Sequence, residues 1–193
     1  MAAEAFDPLR SLLSRRSAPA LQLREPGPSQ AQIELAVDAA LSAPDHGALK
    51  PLRLVLIRGE ARACLSELFV SRMQQRDAGI PPGKIDKARR MPLAAPLVIA
   101  VGGRVVVPHK VPELEQLLAV GAGVMNLLNA FHAQGFGAIW LTGGNAYDPE
   151  IARALQFTPD ERSLGFVYVG SLPSFDAPPR RLDRASAVRE WAG

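Results

Sequence analysis

Two adjacent arginines bracketed by serines, Ser14–Arg15–Arg16–Ser17 ("SRRS"), follow a short helical pattern near the start of the chain. Guanidinium forks meet phosphate oxygens two at a time, so such a pair beside a hydroxyl can act as a phosphate clamp. Cations in that place also suit a helix C-terminus, and local evidence leaves both readings open. A second pair, Arg180 and Arg181 in "PPRRLDR", lies near the other end. Between them, Ser42 to Pro51 ("SAPDHGALKP") packs two prolines, a glycine and the vicinal Asp45–His46 pair between a helical pattern and an apolar strand. A turn needs only the proline and the glycine. The Asp–His pair adds donors and acceptors that could edge a planar heterocycle, or Asp45 could simply cap backbone amides.

Other reactive residue types carry weaker signals. His46, His109 and His132 show no ligand spacing with one another or with Cys64, so no metal site is expected. His132 reads as an ordinary helix residue, and His109, in "PHKVP", as a loop residue either at the surface or lining a site. The single cysteine, Cys64 in "RACLSEL", cannot form an internal bridge and reads as inert core filler in a reducing, cytoplasmic setting. "GAGVMN" from Gly121 lies inside a helical pattern, not at a strand-to-helix turn, which removes a dinucleotide fingerprint. Ala119, Gly121, Ala122 and Gly123 instead give that helix a smooth face, expected to meet another helix closely, between subunits.

These groups need elements to position them. Phe6, Leu9 and Leu13 form one apolar stripe of a first helix. Ser29 with Gln32 makes a capping box before Ile33, Ala36, Val37, Ala40 and Leu41, and Pro44 stops that helix. "LRLVLI" (52–57) reads as a strand covered on both faces. A helix over 60–76, a Gly-Pro break and a basic turn of helix, "KIDKARR", lead to the strand "PLVIAV". The longest helix is expected over 112–134, with Pro112 and glutamates at its start and Gly135 beyond its end. Strands "GAIWL" and "SLGFVYVG" follow, separated by a short helix beginning at Asp148–Pro149–Glu150. The expectation is one α/β (α+β) domain over 1–193, a small central sheet flanked by helices. Residues 174–193 form a proline-rich C-terminal arm.

At 193 residues, 48% hydrophobic and 21% charged, the chain can fill one sizeable core. A net charge of +3 raises a nucleic-acid reading, but aromatics are 6% and do not interleave with the basic residues as a stacking platform requires. The apolar runs fall well short of the roughly 20 residues that span a bilayer, so no membrane partner is expected.

Five blocks in order resemble the FMN-dependent NAD(P)H nitroreductase family, in its short branch without the large inserted lobe. They are "LLSRRSAPAL", "ALSAPDHGALKPLRLVLI", "KIDKARRMPLAAPLVIAV", "HKVPELEQLLAVGAGVMNLLNAFHAQGFGAIWLTG" and "LGFVYVGSLP". The resemblance implies a homodimer with two FMN sites, each built from both subunits, with NAD(P)H as electron donor. It assigns Arg15, Arg16 and Ser17 to the phosphate, ribityl chain and N1–O2 edge of the flavin. It brings Pro44, Asp45, His46 and Leu49 across from the partner to line the ring, with His46 orienting or polarising. Trp140, Leu141, Thr142 and Gly143 lie beside the flavin, where a backbone amide meets N5, and Arg181 is a C-terminal phosphate contact. The C-terminal arm would pack on the partner. The implied activity is ping-pong hydride transfer to nitro or quinone-like small molecules, with no protein nucleophile. A dehalogenating or flavin-cleaving oxidoreductase on the same scaffold, or a non-enzymatic flavin-binding module, are the alternatives. Leu52 departs from the family pattern, standing where many relatives carry an aromatic.

Overall fold

Alternation along two strands sets the architecture. In β2 (Leu97–Arg104) and β4 (Glu161–Gly170), Val98, Ala100, Phe166 and Tyr168 face one way, and Leu97, Ile99, Val101, Val167 and Val169 the other. Both faces are apolar, so each must be covered by helices. The computed structural model describes residues 7–173 and 183–193. In chain order it places α1 (Pro8–Ser14), α2 (Gln30–Leu41), β1 (Leu52–Arg58), α3 (Ala61–Arg76), α4 (Pro82–Ala94), β2, α5 (Glu113–Ala133), β3 (Gly137–Leu141), α6 (Pro149–Ala154), β4 and α7 (Arg184–Ala187). The four strands pair antiparallel throughout, in the order β1-β2-β4-β3, which makes the domain α+β.

One face of the sheet carries α2 and α5. Ile33, Ala36 and Ala40 of α2 and Val120, Val124, Leu127 and Phe131 of α5 close over Leu97, Ile99, Val101, Val167 and Val169. The expected capping box is present: Ser29 Oγ accepts from Gln32 N, and the Gln32 side chain accepts from Ser29 N at 2.9 Å. The other face carries Leu65 and Phe69 of α3 and Ile151 of α6. There the Phe69 ring meets Phe166 edge-on, with centroids 5.0 Å apart.

Several expectations are corrected. The "basic turn" is a full helix, α4, that runs through Pro92. Side chains of α3 tie down its last turn and exit: Ser66 Oγ donates to Arg89 O and Arg62 Nη1 to Ala95 O, each at 2.7 Å. Cys64 is exposed, not core filler, because α3 turns Leu65, the next residue, and Phe69 into the sheet. The edge strand β1 is only half covered. Leu9 and Leu13 of α1 are exposed, and Phe6 lies outside the described residues. The smooth face of α5 divides in two. A Cβ on Gly123 would stand 3.0 Å from Leu52 Cδ2 and 3.1 Å from Ala40 O, so this glycine serves the α2 contact within one chain. A Cβ on Gly121 would meet nothing within 4 Å.

By length and composition α5 could cross a bilayer. Here one side of it is core. The opposite side shows Leu114, Leu118 and Met125 to solvent at 67, 63 and 46% exposure, with Gly121 between them. Spacings of four, three and four put these residues in one straight stripe.

Candidate functional site

The arginine segment is anchored to the outer edge of β3. Helix α1 ends as Arg15 turns extended, its N–H still bonded to Ser11 O at 3.1 Å. Ser17 then bridges Ala138 in parallel, and Ala18 N donates to Ala138 O at 3.0 Å. Arg15 and Arg16 are thereby held half-buried at the start of β3, lining a pocket of about 280 Å³ with Ser14, His132 and the turn from Gly135 to Ala138. His132 Nε2 lies 2.9 Å from Ser14 Oγ, which itself donates to Ser11 O at 3.0 Å. Burial, then the charges of Arg15 and Arg16, hold the His132 imidazole below the usual histidine range, despite an opposing contribution from Ser11 O.

A larger cavity, about 640 Å³, opens at the other end of β3. Its floor is apolar, from Phe69, Met91, Phe166 and Tyr168, and Lys84 and Lys87 of α4 stand at its wall. Leu141, Thr142 and Gly143 line it. Among the described residues, the amides of Thr142, Gly143 and Gly144 donate to no carbonyl, so they remain available to an acceptor on a planar ligand. The Trp140 indole does not line this cavity. It packs with the α2–α5 core on the opposite face, and its Nε1–H donates to Leu164 O at 3.1 Å. Alternation along β3 imposes this, since neighbouring residues point to opposite faces.

The cavity wall is tied down by a buried carboxylate. Asp148, 3% exposed, caps α6 by accepting from Glu150 N (2.9 Å) and Ile151 N (3.3 Å). It also accepts from Arg72 Nε at 3.1 Å and from Arg76, which reaches Asn145 as well. Burial alone would raise the Asp148 pKa, but the two guanidinium bonds outweigh it and hold the carboxyl below the usual carboxylate range.

The Asp45–His46 elbow lies elsewhere. After Pro44, a 3-10 turn over His46–Ala48 carries Gly47, Ala48 and Lys50 all at positive φ, and the half-buried Leu49 between them. Asp45 holds this shape: its Oδ2 accepts from Lys50 N at 2.6 Å and its carbonyl from Ala48 N at 3.2 Å. Left-handed backbone at Ala48 and Lys50 needs such closure. Asp45→Ala should therefore cost about 1–2 kcal/mol of stability, read by urea denaturation. His46 Nδ1 sits 2.5 Å from Glu115 Oε2, which seats the elbow on the first turns of α5. His109 closes a neighbouring turn, its Nδ1 accepting from Val111 N at 3.0 Å.

The arginine segment and the elbow thus occupy opposite ends of one helix. Seventeen residues separate Glu115 from His132, an axial rise of about 25 Å. Within one chain Arg15, Arg16 and Ser17 do not meet Pro44, Asp45, His46 or Leu49, whereas Leu141–Gly143 stand at the far end of β3, the strand whose start Ser17 bridges. Arg181 lies outside the described residues. Three residues at the two pockets had no motif to mark them: Lys84 and Lys87 stand in the basic turn "KIDKARR", and His132 reads as an ordinary helix residue. Among the described residues, no group of three or more His, Cys, Asp or Glu could hold a metal.

The sequence model of the nitroreductase family matches residues 12–171. The chain belongs to the nitroreductase family. Membership makes it an oxidoreductase. A putative NAD(P)H nitroreductase, YdjA of Escherichia coli (strain K12), is 37% identical over 168 residues, covering 86% of this chain and 88% of that relative. Among solved structures, a nitroreductase-like family protein from Bacillus cereus superposes with a TM-score of 0.82 at 20% identity, covering all of both chains. A putative nitroreductase from Desulfovibrio desulfuricans, crystallised with FMN, gives 0.74 at 20% identity over 98% of this chain and 99% of its own. At these identities the structural matches speak for the nitroreductase fold, while the family model and YdjA establish the family.

Proposed function

We propose that this nitroreductase-family chain is an FMN-dependent enzyme that takes electrons from NAD(P)H and passes them to nitro or quinone-like small molecules. It works as a homodimer whose two sites each draw on both protomers. One observation carries the reading: the arginine segment and the elbow stand at opposite ends of α5, and α5 bares the apolar stripe Leu114, Leu118, Gly121 and Met125 between them. Antiparallel pairing of that stripe with its copy covers the apolar surface and sets the partner's elbow beside this chain's arginines.

The residues present fit FMN. Arg15 and Arg16 supply cations for a phosphate, the free amides of Thr142–Gly144 meet acceptors on the ring edge, and the apolar floor takes the ring's face. Lys84 and Lys87 add positive charge to the cavity, which would favour electron uptake by a ring held there. When bound, FMN supplies the hydride chemistry itself. The protein's part is to orient the ring, leave one face open to donor and acceptor in turn, and hold His46 by Glu115 at the rim of the partner's cleft.

Purified protein should be yellow, bleach on adding NADH or NADPH without oxygen, and recover colour with a nitroaromatic or quinone. A colourless protein that added FMN cannot restore would overturn the proposal. Arg15→Ala should loosen FMN about 10- to 150-fold, the loss of one charge-assisted contact of roughly 1.5–3 kcal/mol. Equilibrium dialysis with FMN measures it, and unchanged affinity would show that Arg15 is misassigned.

A further inference from the structure

His132 has no role in the scheme above, yet it stands in the pocket with both arginines of the "SRRS" segment. We infer that Ser14, Arg15, Arg16 and His132 form a proton-coupled oxyanion site, in which an entering phosphate or sulfate dianion draws a proton from solvent onto His132. Its connection to the cofactor rests on the flavin reading above; the chemistry of the pocket does not.

The hydrogen bonds fix which nitrogen titrates. Ser14 has one hydroxyl proton, and it is directed to Ser11 O. Ser14 Oγ is then the acceptor for His132 Nε2–H, which places the neutral ring in the Nε2–H tautomer with Nδ1 unprotonated. Protonation adds its hydrogen at Nδ1 and leaves the Nε2–H bond to Ser14 intact. The ring can therefore change charge without moving, and without releasing the tip of α1 from which the arginines project.

The surroundings decide when it does so. Around the pocket, α1 and its extension contribute Ser14, Arg15 and Arg16, the following turn Gly135–Ala138, α5 Leu128, and the segment after β4 Leu172. No carboxylate lines it among the described residues. Without a bound anion, burial first and then the two guanidinium charges oppose a positive charge on His132. A dianion between the arginines offsets the Coulombic part of that opposition and adds an attraction for the proton. By linkage, whatever raises proton affinity on anion binding must tighten anion binding as protons are added. The group would also distinguish phosphorylated from unphosphorylated ligands more sharply in mildly acidic solution.

The test is an NMR titration of the His132 ring between about pH 8 and pH 5.5, with and without sulfate, which does not itself titrate there. The resonance is assigned by comparison with His132→Gln. Saturating sulfate should raise the His132 midpoint by about one pH unit, with sulfate binding roughly ten-fold tighter at the acid end. His132→Gln keeps an N–H for Ser14 and should lose that pH dependence. FMN and riboflavin form the second arm. A rise with FMN but not with riboflavin assigns the site to the cofactor's phosphate. A rise with sulfate but not with FMN still supports the proton-coupled site and assigns it to a separate anion. Sulfate bound with the His132 midpoint unmoved, or no sulfate bound at all, overturns the inference. FMN bound with the midpoint unmoved would leave the flavin reading standing. A sulfate response in protein that cannot take up flavin would do the reverse.

Discussion

Gly121→Leu should leave each protomer folded while separating the dimer and stripping the flavin from it. Within the chain, a side chain at 121 enters open space, since a Cβ there has no neighbour within 4 Å. Replacing a mid-helix glycine even favours α5 locally, by up to about 1 kcal/mol. The cost appears only between chains. Gly121 sits in the exposed stripe between Leu118 and Met125, and a two-fold contact along that stripe receives the new side chain twice. At about 1–3 kcal/mol for each overpacked insertion, the dimer weakens by about 2–6 kcal/mol, or at least roughly 30-fold. Light scattering on eluted protein gives the oligomeric state, and flavin absorbance in the same peak gives the occupancy. Gly123→Leu is the contrasting variant. It strikes Leu52 and the carbonyl of Ala40 in its own chain and should destabilise the fold itself. A Gly121→Leu protein that stays a flavin-loaded dimer would refute the two-chain site.

Asp148→Ala should lower stability by about 3 kcal/mol, the lower end of the cost of breaking a buried ion pair. The lower end applies because the side chains of Arg72 and Arg76 keep 23% and 34% exposure and can turn to water. The variant also removes the cap of α6 and the bonds by which Arg72 and Arg76 of α3 hold its start. The pH dependence has a definite sign. Asp148 is more acidic in the folded chain than its ordinary value of 3.8. Its contribution is therefore complete above that value and is lost as pH falls through the lower, folded one. Denaturation curves of wild type and Asp148→Ala should differ most near neutrality and converge below about pH 4. A gap that stays constant into acid would mean that the arginine bonds are not what Asp148 contributes.

How legible these features were in the sequence depends on what each signal reports. The capping box at Ser29, the "GAIWL" strand and the limits of α5 depend on local backbone chemistry, and they appear where the pattern places them. Apolar periodicity says that a face must be covered, not by what. Leu9 and Leu13 look like a core stripe in sequence and stand exposed in the isolated chain. Cys64 failed for a related reason, since a small apolar residue on a helix is buried or exposed by a single step of 100°. Helix α4 extends past the basic turn that the sequence suggests and runs through Pro92, a residue that local propensity places outside helices. In the candidate site, the arginines and the elbow were legible as unusual local chemistry. Their placement at opposite ends of α5 was not, because it is a property of the fold. His132, Lys84 and Lys87 become notable only through what the fold brings near them.

The elbow has one more consequence, for assembly. Its turn is already closed by Asp45 and seated by Glu115 in the lone chain, with Gly47, Ala48 and Lys50 in their final backbone states. The conformational entropy of that segment is surrendered when the polypeptide folds, so docking needs no disorder-to-order step. In the proposed dimer, two such preformed wedges would engage as rigid bodies.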